Sequence, residues 1–278
     1  MIADNRLVEW NASDLMSVNL DIQSREASAS PYNLDGSVQF PKVVEEPLSV
    51  SLSGLQHRYR SGPIVLDDVS FHLPFRSVIR LSGHNGSGKS TLAKILVGAE
   101  LPTSGTVKIS MLNGKADVHH NRAVFWNAPG SLFSYSFQNP DSQLFFSTVE
   151  EEIVRSAFRI GRTRVLSEEL VHSALQAFGL STLTRTHPQD LPYVLRKRVA
   201  LAATFACGTQ WMILDEPTLG QDDTALTHLS LLIHSALGRN VGVILITHSD
   251  LLIARLGAPL TTITLQSKTT AHKEKAHV

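Results

Sequence analysis

Polar and apolar positions alternate with period two from Leu48 in LSVSL and again in VLDDVSFHL, which predicts two β-strands. SVIRLSG is an apolar run that stops at glycine, also a strand pattern. A helical run, TLAKILVGA, follows, and then strand-like stretches at TVKISML and near RAVFW. Thr148-Val149-Glu150-Glu151 has the Thr-x-x-Glu form of a capping box and opens a helix through about Arg159 that stops near Gly161. A second helix runs from Ser167, carries Leu170, Val171, Ala174, Leu175 and Phe178 on one stripe, and ends at Gly179. Asp190 as cap and Pro192 in the first turn start a third, which continues to about Cys207. Beyond it lie the strand WMILD, a helix from about Asp222 to Leu237 stopped by Gly238, the strand VGVILIT and a last strand near LTTITL. Strands alternating with helices indicate a parallel α/β sheet, interrupted between roughly residues 140 and 200 by a helical insertion.

Residues 1–47, rich in Ser, Asn and Asp, stand apart as an extension or linker of no assigned function, with one strand suggested by the alternation of Val18, Leu20 and Ile22. Residues 48–265 carry the regular pattern, and residues 266–278 have the composition of a disordered tail. A chain of 278 residues that is 42% hydrophobic can bury a sizeable core. Lys plus Arg equals Asp plus Glu at 25 each, so no global basic field draws the chain to nucleic acid, which is not an expected partner. Cys207, the only cysteine, excludes an internal disulfide, fits a reducing compartment, and reads as a small buried residue on a helix. The start MIADNRLVEWNASD lacks a basic and then apolar leader, and no window approaches ~18 uninterrupted apolar residues, so a soluble, cytoplasmic chain is expected.

The candidate chemistry begins at GHNGSGKST. Gly83, His84, Asn85, Gly86, Ser87, Gly88, Lys89, Ser90 and Thr91 follow a strand and open a helix, as a phosphate-binding loop must. The three glycines let the backbone turn tightly so that its amides point at phosphates. Lys89 supplies a cation to the terminal phosphates and Ser90 a hydroxyl to Mg²⁺, so the expected ligands are a nucleoside triphosphate and Mg²⁺. In WMILDEPT an apolar strand ends in Asp215 and Glu216. Adjacent carboxylates point to opposite sides of a strand, yet at its frayed end both can reach one pocket, Asp215 toward the metal and Glu216 toward an attacking water.

With these motifs in place, the chain from about Leu48 to Leu265 resembles the ATP-binding-cassette (ABC) ATPases. The resemblance implies an α/β, ABC-type nucleotide-binding domain: a mostly parallel P-loop sheet core, an N-terminal antiparallel β part and a helical insertion. It places Tyr59 where the family stacks adenine on an aromatic ring, and Gln138 in FQNPDSQLF at the Q-loop, which touches metal and water and links the core to the insertion. Leu219 to Asp222 falls at the D-loop, with Asp222 its acidic member, and His248 falls at the switch histidine that contacts the γ-phosphate. The catalytic residues so implied are Glu216, His248 and Lys89, with Ser90, Gln138 and Asp215 around Mg²⁺.

The chain departs from the family at its signature. Where the family reads Leu-Ser-Gly-Gly-Gln, this sequence reads Leu191-Pro192-Tyr193-Val194-Leu195. In a head-to-tail dimer of cassettes the signature of one subunit closes over ATP held by the other, using a serine hydroxyl, glycine amides and a helix N-terminus. Pro192 brings neither hydroxyl nor amide hydrogen, and Tyr193 and Val194 crowd a surface where glycine admits close approach. Arg196, Lys197 and Arg198 occupy a position read as a solvated or interdomain face.

FQNPDSQLFFSTVEEEI and DEPTLGQD are most similar to the ATPases of energy-coupling-factor transporters. The resemblance implies a Mg-dependent ATPase that powers import of a vitamin or metal ion, peripheral at the inner face of the membrane. Its implied partners are a transmembrane coupling subunit and a second cassette, a heterodimer being favoured by the degenerate signature. Two rival functions are a soluble cassette ATPase acting on nucleic acid or ribosomes, and a regulatory subunit that binds ATP with little turnover.

Overall fold

The computed structural model describes residues 48–60, 62–111, 117–120, 132–158, 163–218, 222–257 and 260–265. The strand expected at Val18 to Ile22, the stretch RAVFW, the helix stop at Gly161, D-loop residues Leu219 to Gln221 and the tail from residue 266 lie outside them. The described residues divide into two compact units, one spanning Leu144–Gly208 and the other formed by the segments Leu48–Gln143 and Thr209–Leu265.

The larger unit contains two sheets. β1 (Leu48–Arg58) pairs antiparallel with β2 (Ile64–Leu73) and with β4 (Ser104–Met111), and β5 (Asp117–His120) completes the order β2-β1-β4-β5. β2 shows why alternation predicts a strand: Leu66, Val69, Phe71 and Leu73 are buried while Asp67, Asp68, Ser70 and His72 are exposed. The second sheet is parallel, with β6 (Phe133–Ser136), β7 (Trp211–Asp215), β8 (Gly242–Ile246), β3 (Val78–Ser82) and β9 (Leu260–Thr264) in the order β6-β7-β8-β3-β9. All five positions of β7 and of β8 are buried, which is why these strands read as continuous apolar runs rather than alternations. Trp211 ties the two sheets together. Its ring stacks on Phe133 with centroids 6.3 Å apart, and its indole N–H donates to the Leu48 carbonyl at 3.0 Å.

Three helices belong to this unit: α1 (Lys89–Leu96), α5 (Asp223–Gly238) and α6 (Asp250–Leu256). The D-loop residue Asp222 is the N-cap of α5, its carboxylate accepting the Ala225 N–H at 2.8 Å. Gly238 remains inside that helix, and the chain turns at Asn240, whose φ is 70°. α6 and β6 were not expected from the pattern. α6 is seven residues long, capped by Ser249 on Leu252 N–H at 3.2 Å, and its apolar residues follow β8 too closely to show a helical period. β6 is four residues, half of them serine, and exists because Phe133 to Ser136 pair with Trp211 to Leu214.

The smaller unit is helical: α2 (Val149–Ala157), α3 (Arg164–Ala177) and α4 (Tyr193–Ala206), with a 3-10 turn at Pro188–Asp190. Thr148 caps α2 as the Thr-x-x-Glu pattern predicts, accepting the Glu151 N–H at 3.2 Å. The reciprocal half differs. Glu151 accepts from Ser147 N–H at 3.0 Å, and Glu152 from Phe146 N–H at 2.5 Å, so two acidic side chains hold the approach to the helix.

Four expectations for this unit are corrected. α3 begins at Arg164 because Thr163, not Ser167, caps it, and the Ser167 hydroxyl donates inward to Thr163 and Ala157 carbonyls. α4 begins at Tyr193 with Pro192 itself at the N-cap and no side-chain cap, while Asp190 closes the preceding 3-10 turn. Lys197 is fully buried, since it shares the stripe of Ala200, Leu201 and Thr204 on α4. Cys207 is the C-cap of α4 and half-buried rather than interior.

Candidate functional site

Parallel strands deliver their carboxyl ends to one edge of a sheet, and here four adjacent strands do so. β3 runs into the loop at Gly83–Gly88, β6 into Gln138, β7 into Asp215 and Glu216, and β8 into Thr247 and His248. A cleft of ≈790 Å³ lies at that edge, the place where open parallel sheets bind ligands. Asn85, Gly86, Gly88, Lys89, Ser90 and Thr91 line it, together with Gln138, Asp215, Glu216 and His248. Val65 and Ile246 supply apolar wall that motif reading did not anticipate.

The loop is held in a strained form that only glycine tolerates. Gly88, the N-cap of α1, has φ of 94°, and a Cβ there would sit 2.5 Å from Leu66 Cδ2 and 3.0 Å from the Val65 carbonyl. Because Gly88 has no side chain to cap the helix, the first-turn amides of α1 are left for an anion. Lys89 Nζ donates to the carbonyls of Gly83 and His84 at 2.6 and 2.9 Å, which fixes the ammonium across the loop. Gly83, His84 and Ser87 support the loop rather than line the cleft. Ser87 Oγ is buried without a hydrogen-bond partner among the described residues.

Asp215 is 4% exposed and accepts two hydrogen bonds on one oxygen: Ser90 Oγ donates to Oδ2 at 3.3 Å and Tyr135 Oη at 2.7 Å. Burial, and next the charge of Asp215, raise the Tyr135 phenol pKa above its ordinary range, so it remains a donor. Glu216 leaves β7 with φ of 43°, which breaks the strand's side-to-side alternation and allows both carboxylates into one cleft. Its backbone N–H donates to the Ile246 carbonyl at 2.8 Å. Its Oε1 lies 3.6 Å from His248 Nε2, and its Oε2 accepts from Thr247 Oγ1 at 3.4 Å.

These oxygen donors fit Mg²⁺, a hard cation usually held by one or two carboxylates plus substrate phosphates rather than by a protein cage. Among the described residues no three or more His, Cys, Asp or Glu are grouped so as to hold a metal ion.

Not every sequence-predicted residue meets here. Tyr59 is 40% exposed and lies outside the lining of the cleft, though its hydroxyl is 3.2 Å from Thr91 Oγ1 and its ring meets His57 edge-on at 4.5 Å. Asp222 caps α5. Leu191 to Leu195 belong to the helical unit, where Arg196 Nη1 donates to the Leu191 carbonyl at 2.9 Å and the guanidinium carbon lies 6.0 Å from the Tyr193 ring centroid. Tyr135 was missed. Its only sequence signal is a tyrosine three residues before Gln138, which gains meaning once β6 is paired with β7.

No helix among the described residues is long and apolar enough to cross a membrane. EcfA1 of Methanospirillum hungatei, an energy-coupling factor transporter ATP-binding protein, is 33% identical over 208 residues, covering 74% of this chain and 73% of that protein. A Methanosarcina acetivorans protein, provisionally named as an ABC transporter ATP-binding protein, is 33% identical over 232 residues, which is 82% of this chain but 37% of the relative. In three of the curated relatives the match takes in only 37%, 29% and 61% of the relative's own length. Among solved structures, CbiO1 of Clostridium perfringens, described as part of the ABC transporter complex CbiONQ, shares the fold. Its TM-score is 0.63 at 24% identity, over 80% of this chain and 86% of that one. The ABC transporter family matches residues 66–219, more than half of the chain, and the phosphate loop and both carboxylates that meet in the cleft lie inside that span. The chain therefore belongs to the ABC transporter family of ATP-binding-cassette ATPases.

Proposed function

We propose that this chain is the ATP-hydrolysing subunit of an energy-coupling-factor type importer of a vitamin or metal ion, lying on the cytoplasmic face of the membrane. The observation that carries the chemistry is the meeting of Lys89, Ser90, Gln138, Asp215, Glu216 and His248 around one cleft. The loop amides and Lys89 bind the phosphates, and Ser90 and Asp215 hold Mg²⁺ with Gln138 beside them. The bound ion would neutralise charge on the phosphate oxygens. Glu216 takes a proton from, or orients, the attacking water, and His248, 3.6 Å from it, bears on the γ-phosphate. The transporter assignment rests on the name of the Methanospirillum hungatei relative and on the strings FQNPDSQLFFSTVEEEI and DEPTLGQD. Its partners in this proposal are a transmembrane coupling subunit and a second cassette.

The second cassette follows from Pro192. Pro192 at the N-cap offers neither a hydroxyl nor an amide hydrogen, so it is a poor cover for ATP held by another subunit, and losing one preorganised donor typically costs roughly 10²–10³ in rate. A homodimer would carry two such sites. In a heterodimer, a partner with an intact signature completes the site built on Lys89 and Glu216, while Pro192 closes a slow second site. Turnover of the purified chain, alone and with the cassette it co-purifies with, tests this. A homodimer turning over at about 1 s⁻¹ or faster, within the ordinary enzyme range, would refute the asymmetric assembly.

A further inference from the structure

Tyr135 sits on β6 opposite Ile213 of β7, half-buried, with its ring 4.4 Å from that of Phe137. A phenylalanine would satisfy that packing. The hydroxyl has a different task, since it donates to Asp215 Oδ2 at 2.7 Å, against 3.3 Å for Ser90 Oγ. The competing donor, Ser90, has one hydroxyl hydrogen and the lone pairs that a cation would use. Toward Asp215, Tyr135 can only donate, as an ionised carboxylate offers no hydrogen. It is therefore a fixed donor to a buried carboxylate, whereas Ser90 has work elsewhere.

We propose that Tyr135 is a positioning residue for the metal site: its hydroxyl fixes the orientation in which Asp215 meets the divalent cation carried by the nucleotide. This rests on the assignment of Asp215 to Mg²⁺ made above. Losing a group that orients a metal ligand from outside the coordination sphere typically costs about 10–100-fold in affinity, because a carboxylate free to rotate must be ordered each time the ion binds. Tyr135 acts through Asp215 and is not itself a catalytic residue.

The test is calorimetric titration of the full chain with a non-hydrolysable ATP analogue at graded Mg²⁺, for wild type, Tyr135→Phe, Asp215→Asn and the double variant. Tyr135→Phe should raise the half-saturating Mg²⁺ roughly 10-fold or more while leaving metal-free nucleotide affinity unchanged. The double variant should shift no further than Asp215→Asn, a result that a merely structural role for the tyrosine would not produce. Tyr135→Met, which keeps an apolar side chain on β6, should give the same shift if the phenylalanine variant fails to fold. If Asp215→Asn shifts and the Tyr135 variants stay within about twofold of wild type, the positioning role is wrong and the metal assignment stands. If Asp215→Asn also matches wild type, both are wrong.

Discussion

Gly88→Ala bears most directly on whether the phosphate loop is preformed. At φ of 94° an alanine carries the left-handed penalty of about 1–2 kcal/mol. Its Cβ would also lie 2.5 Å from Leu66 Cδ2 and 3.0 Å from the Val65 carbonyl. Leu66 is 1% exposed in the core, so it cannot swing away without disturbing its neighbours, and overpacking of this kind costs about 1–3 kcal/mol. Reduced freedom of the unfolded chain offsets about 0.4–1 kcal/mol, leaving a net loss of about 1–5 kcal/mol. Urea unfolding followed by tryptophan fluorescence suits the measurement, because Trp211 is buried in the core of the same unit. The midpoint should fall with little change in slope, and ATP affinity should drop about tenfold or more, since the strain acts on the amides that meet the phosphates. A loss below about 0.5 kcal/mol with ATP affinity intact would show that Leu66 and the loop relax freely, and would refute the preformed cradle.

Two further outcomes are expected. Under the proposed mechanism Glu216→Gln keeps ATP binding but lowers turnover by roughly 10²-fold or more at saturating Mg-ATP, whereas Lys89→Ala weakens binding itself; near wild-type turnover in Glu216→Gln would remove that residue from catalysis. Burial raises the Glu152 carboxyl above its ordinary value of 4.5, against the opposing effect of the Phe146 and Phe145 N–H groups, so the folded chain keeps a proton that the unfolded chain has released. The stability it contributes is present below the unfolded value and is lost as pH rises through the raised folded value. Glu152→Gln should therefore flatten the decline of the unfolding midpoint from about pH 4.5 upward, and equal slopes in variant and wild type would contradict the assignment.

What could be read from the sequence follows the distance over which each feature is determined. The phosphate loop is contiguous: strand, glycines, lysine and helix lie within one short string, and its geometry follows from local backbone requirements. The central strands were legible for a similar reason, since β7 and β8 must be apolar throughout to lie covered on both faces. Helix starts were read less well, because several side chains compete for each cap: Thr163 caps α3 ahead of the start expected at Ser167, and Pro192 took the N-cap expected of Asp190. Lys197 was misplaced because a cation in sequence says nothing of the stripe it shares, and only the packing of α4 shows that the stripe faces inward. Glu216 lies between these cases. Its motif marks it, but a shared cleft with Asp215 depends on a left-handed backbone at a non-glycine residue, which no periodicity predicts. Tyr135 is at the far end of the scale. Its hydroxyl acquires a partner 80 positions away only when β6 pairs with β7, so a residue that bonds Asp215 at 2.7 Å carries no local signature. Motifs fix the atoms that would touch the nucleotide, whereas the atoms that hold those in place are set by strand pairing, and substitutions at Tyr135 separate the two.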